Sequence, residues 1–146
     1  MNRKEFIQSC TYACLSGVAI ATLVQSCKTT KHINGIISNA DLIVNESEFR
    51  FEKKGVISYH SYIIVQNDQL QFPICLYRLE SSYKALYLQC THQGAELQVY
   101  GEKIVCPAHG SEFNQQGGVE NGPASENLRS FPITIVSGQI KISLKA

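Results

Sequence analysis

Two short loops constrain this chain more than any other feature: Cys90-Thr91-His92-Gln93-Gly94 and Cys106-Pro107-Ala108-His109-Gly110-Ser111. Each supplies one sulfur and one imidazole, in the order Cys-x-His, thirteen residues, then Cys-x-x-His. Gly94 and Gly110 follow the histidines closely, where a residue without a Cβ lets the backbone turn tightly or approach a bulky group. Two thiolates and two imidazoles form a known structural zinc set. Common zinc spacings pair Cys with Cys and His with His, however, and here each loop mixes the two. Mixed loops suit a centre with two unlike metal ions, the thiolates converging on one and the imidazoles on the other. In a chain of 146 residues such a centre also staples a small core, so metal-free protein is expected to be markedly less stable than loaded protein.

Around these loops the chain reads as strands. Residues 56–65 are β-prone and lie between Lys53-Lys54-Gly55 and Gln66-Asn67-Asp68; 74–79 follow Pro73, and 84–89 follow Ser81-Ser82. Residues 97–100 and 103–105 flank Gly101-Glu102, a pair suited to a type II′ hairpin turn. Segments 133–136 and 140–144 flank Ser137-Gly138-Gln139, and Ile140, Ile142 and Leu144 alternate with Lys141, Ser143 and Lys145 as in a strand with one wet face. No sustained helical period follows the N-terminal segment. The reading is all-β, a small sandwich or barrel.

Composition excludes other classes. Charged residues are 17% of the chain and the net charge is +1, without the basic excess of a nucleic-acid binder. At 44% apolar the chain has enough to build a core and is not disordered. Six cysteines in so short a chain suggest a disulfide framework with fifteen possible pairings. Their positions dissolve it. Cys10 and Cys14 lie in an apolar stretch, residues 10–24, that follows Arg3-Lys4 and has the form of an export signal, too short and polar for a membrane span. Val24-Gln25-Ser26-Cys27 resembles a bacterial lipobox, which makes Cys27 the acylated first residue of a mature, membrane-anchored protein. An uncleaved amphiphilic anchor helix is the alternative. Arg3-Lys4-Glu5-Phe6-Ile7 resembles a twin-arginine export motif in its Arg-Lys form, a route that carries folded, cofactor-loaded proteins. Cys75, mid-strand in Pro73-Ile74-Cys75-Leu76, reads as a small core residue. The organisation expected is an export signal over 1–27, a polar tether over 28–32 and one domain over 33–146, its metal-binding part at about 84–126.

With ligands and spacing of both boxes intact, the chain resembles a Rieske iron–sulfur protein. Ser111-Glu112-Phe113, Gly117-Gly118-Val119 and Asn121-Gly122-Pro123-Ala124 are similar to the segments that follow the second box in that family, and the resemblance covers about residues 70–146. It implies an antiparallel β-sandwich or barrel base with a small cluster-binding subdomain, and one [2Fe–2S] cluster per chain. It also implies that Cys90 and Cys106 bind the buried iron, that His92 and His109 bind the outer one, and that the loop bearing Pro123 covers the cluster. Replacing two thiolates by two imidazoles leaves the oxidised site near neutral and raises the reduction potential, to roughly −150 to +300 mV. The imidazoles' free ring nitrogens give up protons more readily when the iron is ferric. Raising the pH therefore favours the oxidised form, and the potential is expected to fall.

The departures matter as much. Quinol-oxidising members carry a second Cys in each box, joined as a disulfide; Ala95 and Ala108 stand at those positions here. Ser111 is expected to donate its hydroxyl to a bridging sulfide, with Gly110 beside it. Phe113 stands where high-potential members have a Tyr hydroxyl, and its loss withdraws a donor from the more negative, reduced state. The expected potential therefore lies below that of the disulfide-bearing proteins.

His60 reads as a surface or edge residue and His32 as an exposed tether residue; Glu120 and Glu126 make no acid–base pair, and no nucleophile–His–carboxylate set or phosphate loop is present. The function implied is one-electron transfer by an exported, membrane-tethered carrier, not an enzyme by itself. Its partner, a redox protein or a membrane quinol-linked complex, would dock at the His92/His109 face. Other readings are a Rieske subunit of a cytochrome b or molybdenum oxidoreductase complex, an oxygenase ferredoxin, and a structural zinc module. Mass spectrometry of the mature protein tests the N-terminal reading. The expected species begins at Cys27 and carries lipid mass; one that still begins at Met1 contradicts lipidation.

Overall fold

The computed structural model describes residues 30–145. Cys10, Cys14 and Cys27, with the export and lipidation expectations they carry, lie outside the described residues. Among those described there is no α-helix, only one 3-10 turn, Glu46–Phe49. The strands are β1 (Lys31–Asn34), β2 (Ile36–Ser38), β3 (Asp41–Asn45), β4 (Arg50–Lys53), β5 (Val56–Tyr59), β6 (Tyr62–Gln66), β7 (Ile74–Arg78) and β8 (Tyr83–Tyr87). They continue as β9 (Gln98–Tyr100), β10 (Lys103–Val105), β11 (Glu112–Asn114), β12 (Val119–Asn121), β13 (Ser130–Phe131), β14 (Ile133–Val136) and β15 (Gln139–Ser143).

A five-stranded sheet in the order β1-β6-β7-β8-β13 forms the middle layer, with the sheets β14-β15-β3-β2 and β12-β11-β10-β9 on its two faces. Because side chains alternate across a strand, each central strand feeds two cores. Ile64, Cys75, Tyr77 and Leu86 point into the core shared with Leu97, Ile104 and Phe113. Ile63, Val65, Ile74, Leu76 and Ala85 point the other way, against Leu42, Val44, Ile140 and Ile142. Burial on both faces explains why β6 and β7 are almost continuous apolar runs while β15, at the outside, alternates cleanly.

Several expectations hold in detail. The Gly101-Glu102 turn joins β9 to β10 with Tyr100 opposite Lys103, and of the two loop residues Gly101 alone has positive φ, as a II′ turn requires. Cys75 is a fully buried free thiol, and burial pushes its pKa up, far from any reactive range. His32 is exposed.

Others are corrected. The segment 56–65 is two strands broken at His60-Ser61: β5 pairs with β4 in a separate two-stranded hairpin, whereas β6 pairs with β1 and β7 in the middle layer. Lys31 and His32 are not tether but the start of β1, which runs parallel to β6, an exception to the antiparallel expectation. Residues 84–87, at the start of the segment expected to bind metal, lie in β8 and pair with β7 in the middle layer. The last hairpin turn has two residues, Ser137-Gly138, with Gln139 already in β15.

Candidate metal centre

The two boxes fold into loops of the same shape. In the first, the Cys90 N–H donates to the Ala95 carbonyl at 2.8 Å and the Gly94 N–H donates back to the Cys90 carbonyl at 2.8 Å. In the second, the Cys106 N–H donates to the Ser111 carbonyl at 2.8 Å and the Gly110 N–H to the Cys106 carbonyl at 3.0 Å. Each clamp needs its glycine in the left-handed region, and φ is +73° at Gly94 and +77° at Gly110. A Cβ at Gly110 would meet nothing within 4 Å, so conformation and not space requires glycine there. The first loop is held at its base by the bridge between Gln89 and Glu96, the second by the pairing of Val105 with Glu112.

Like loops produce unlike depths. Cys90 and Cys106 are each 2% exposed and share one apolar core with Leu88, Leu97, Phe113 and Ala124. His92 and His109, two and three residues further on, are exposed, and their rings meet edge to face with centroids 5.1 Å apart. The structure thus brings all four expected donors to one end of the molecule, thiols beneath and imidazoles outside. Among the described residues no three His, Cys, Asp or Glu side chains gather as they would around a single ion. The donor set, split by depth into a sulfur pair and a nitrogen pair, fits a two-metal cluster.

A third segment closes the site. Fully buried Ser111 accepts the Ala124 N–H at its Oγ, 3.0 Å away, which leaves its own hydroxyl hydrogen to donate. Thr91 Oγ1, in the first box, donates to the Glu126 carbonyl at 2.7 Å. Residues 122–126 are therefore tied to both loops, one bond to each. Phe113 is fully buried in the core that holds both thiols, and Ala124 is buried there too, while Pro123, after a cis peptide bond from Gly122, faces outward. Sequence reasoning missed Thr91 and Glu126. A hydroxyl inside the first box was a signal; its acceptor is main chain and has none.

An all-β scaffold that presents two such loops, sulfur inward and imidazole outward, defines a mixed-ligand iron–sulfur protein. Residues 48–132, more than half of the chain, match the Rieske [2Fe–2S] domain, and the chain belongs to that family, which binds one [2Fe–2S] cluster per chain. The match begins at Glu48, well ahead of the motif-bearing half. The cytochrome b6-f complex iron-sulfur subunit 2 of Synechocystis is 27% identical over 92% of this chain and 79% of its own length. The cytochrome b6-f complex iron-sulfur subunit of Microcystis aeruginosa is 26% identical over 88% and 76%. Among solved structures, the cyanobacterial plasma membrane Rieske protein PetC3 from Synechocystis aligns with a TM-score of 0.49 at 24% identity, over 57% of this chain and 86% of that one.

The closing segment sets a testable order of stabilities. Ser111→Ala leaves the buried Ala124 N–H unpaired and should cost about 1–3 kcal/mol; Thr91→Val removes an exposed bond and should cost about 0.5 kcal/mol. Denaturation of the loaded protein measures both, and equal effects would contradict the role given to Ser111.

Proposed function

We propose that this protein is a one-electron carrier in which Cys90 and Cys106 hold the inner iron and His92 and His109 the outer one. The observation that carries the reading is the depth split: two buried thiols beneath two exposed imidazoles on matched loops. When bound, the cluster supplies reversible one-electron chemistry at a potential that its two imidazole ligands raise. The chain's own residues do the rest. The apolar shell of Leu88, Leu97 and Phe113 keeps water from the thiols. The Ser111 hydroxyl, fixed by Ala124, is available to donate towards the cluster and so favours the reduced state. The exposed His92 and His109 edges offer the path to a partner.

The carrier is exported and tethered to the membrane through Cys27. That assignment rests on the basic start, the apolar stretch and the lipobox-like end of residues 1–27. Among the described residues no helix is long and apolar enough to cross a membrane. A second reading, an iron–sulfur subunit of a quinol-oxidising cytochrome b complex, is favoured by the names of the relatives. Against it stand Ala95 and Ala108, where such members have the loop disulfide.

Potentiometric titration of the purified protein tests the carrier reading. The expected curve is a single one-electron wave whose midpoint falls as pH rises and lies below that of disulfide-bearing quinol-oxidising proteins. Phe113→Tyr, which adds a hydroxyl donor beside the thiols, should raise it. A midpoint near the top of the family's range, roughly +300 mV, or a Phe113→Tyr protein with an unchanged or lower one, would contradict the account.

A further inference from the structure

The hairpin of β4 and β5 stands outside all three layers. Its base is gripped on both sides: Phe51 packs on His60 with ring centroids 4.6 Å apart, and the Arg78 guanidinium lies 4.6 Å from the Tyr59 ring centre. Its outer part is exposed. Lys53, Lys54 and Gly55 are exposed, and next to them Val56 is 63% and Ile57 50% exposed. Two aliphatic side chains beside a lysine pair, with Arg50 further down and Glu52 as the one anion of the arm, put apolar and cationic groups at a single projecting tip.

The position of that tip gives it meaning. The hairpin springs from the end of the middle sheet at which β1 begins: Lys31 Nζ pairs with Glu48 Oε2 at 2.8 Å, and the His60 N–H donates to the Phe49 carbonyl at 2.8 Å. The β14–β15 turn reaches the same end, where the Glu46 N–H donates to the Gly138 carbonyl, and brings Ile135 and Val136, both about half exposed. Lys31 is four residues after Cys27, a span of at most about 14 Å. The four-residue arms of the hairpin are about 13 Å long. A lipid at Cys27 and the hairpin tip can therefore meet one plane. The cluster loops lie at the other end, since β8 runs from Tyr83, opposite Arg78, to Tyr87, opposite Ile74, and then into Cys90.

We infer that the β4–β5 hairpin is a second membrane contact: Val56 and Ile57 enter the headgroup region of an anionic bilayer while Lys53 and Lys54 meet its phosphates. This rests on the tethered reading and deepens it, because two contacts orient the domain where one lipid would let it swivel. The resulting stance turns the His92/His109 end away from the bilayer, towards a partner in the aqueous compartment. Aliphatic insertion with basic neighbours is the chemistry that binds interfacial segments to anionic lipid.

The chain has no Trp, so a single introduced one is an unambiguous probe. Full-length, cluster-loaded Ile57→Trp protein is reconstituted with vesicles of phosphatidylglycerol and phosphatidylethanolamine, with and without brominated acyl chains. Gln69→Trp, at an exposed site beyond the opposite end of the sheet, is the reference, and Val56→Trp repeats the probe should the first variant fail to fold. The expected result is a blue shift and loss of most emission to bromine at the hairpin, neither at the reference, and recovery of emission when Lys53→Glu and Lys54→Glu are added. Unquenched hairpin emission in protein that floats with the vesicles overturns the inference and leaves the tether standing. Protein that does not float overturns both. A blue shift without vesicles that grows with protein concentration shows a second copy on the hairpin, and a shift seen only in native membranes shows a protein partner; either overturns the lipid assignment.

Discussion

The site depends on a pair of backbone clamps. In each loop a Cys N–H reaches the carbonyl five residues on, and a glycine N–H reaches back to the Cys carbonyl. These bonds close both loops to one shape whatever side chains they carry. The shape buries the first residue of each box, and the offset of the second donor, two residues in one loop and three in the other, still leaves both imidazoles outside. Depth follows from the clamps, and chemistry follows from depth. Buried thiolates are favoured only when a metal neutralises them, since an unpaired buried charge is costly. Exposed imidazoles would bring one side of a cluster held here to the surface, where an electron could leave.

The absence of a loop disulfide changes how the loops are kept together. A disulfide would tie loop to loop directly. Here residues 122–126 tie them indirectly, with Ala124 bound to Ser111 and Glu126 bound to Thr91. One of these bonds is buried and the other exposed, so the brace is stiff on the Cys106 side and more yielding on the Cys90 side. The middle sheet supplies the remaining rigidity, because Cys75 and Tyr77 on β7 pack under the same core that holds both thiols. Tyr77 also extends its hydroxyl to the Gly101 carbonyl at 2.9 Å, fixing the turn between β9 and β10 to the base.

The four candidate donors stand out in the sequence because they are side chains at short, fixed spacing, and the hairpins because their turns need particular residues. The alternation of Ile140 and Ile142 with Lys141 and Ser143 marked an outer strand for the same local reason. What escaped depends on distant partners. Residues 56–65 are β-prone throughout, so nothing local marks His60-Ser61 as the point where the chain leaves one sheet for another. Lys31-His32 looks like polar linker, and only the parallel pairing with Ile63 and Ile64 makes it a strand. The third layer is hidden likewise, because a run such as Ile74–Tyr77 tells that both faces are buried but not by what.

The central claim is the division of ligands, two sulfurs on the inner iron and two imidazoles on the outer. Electron–nuclear double resonance on the reduced protein, grown with nitrogen-15 histidine, measures it most directly. The account predicts couplings from two distinct imidazole nitrogens, with one lost in His92→Ala and the other in His109→Ala protein if any cluster is retained. A reduced cluster with no histidine coupling, or a colourless protein holding one zinc ion per chain, would contradict it.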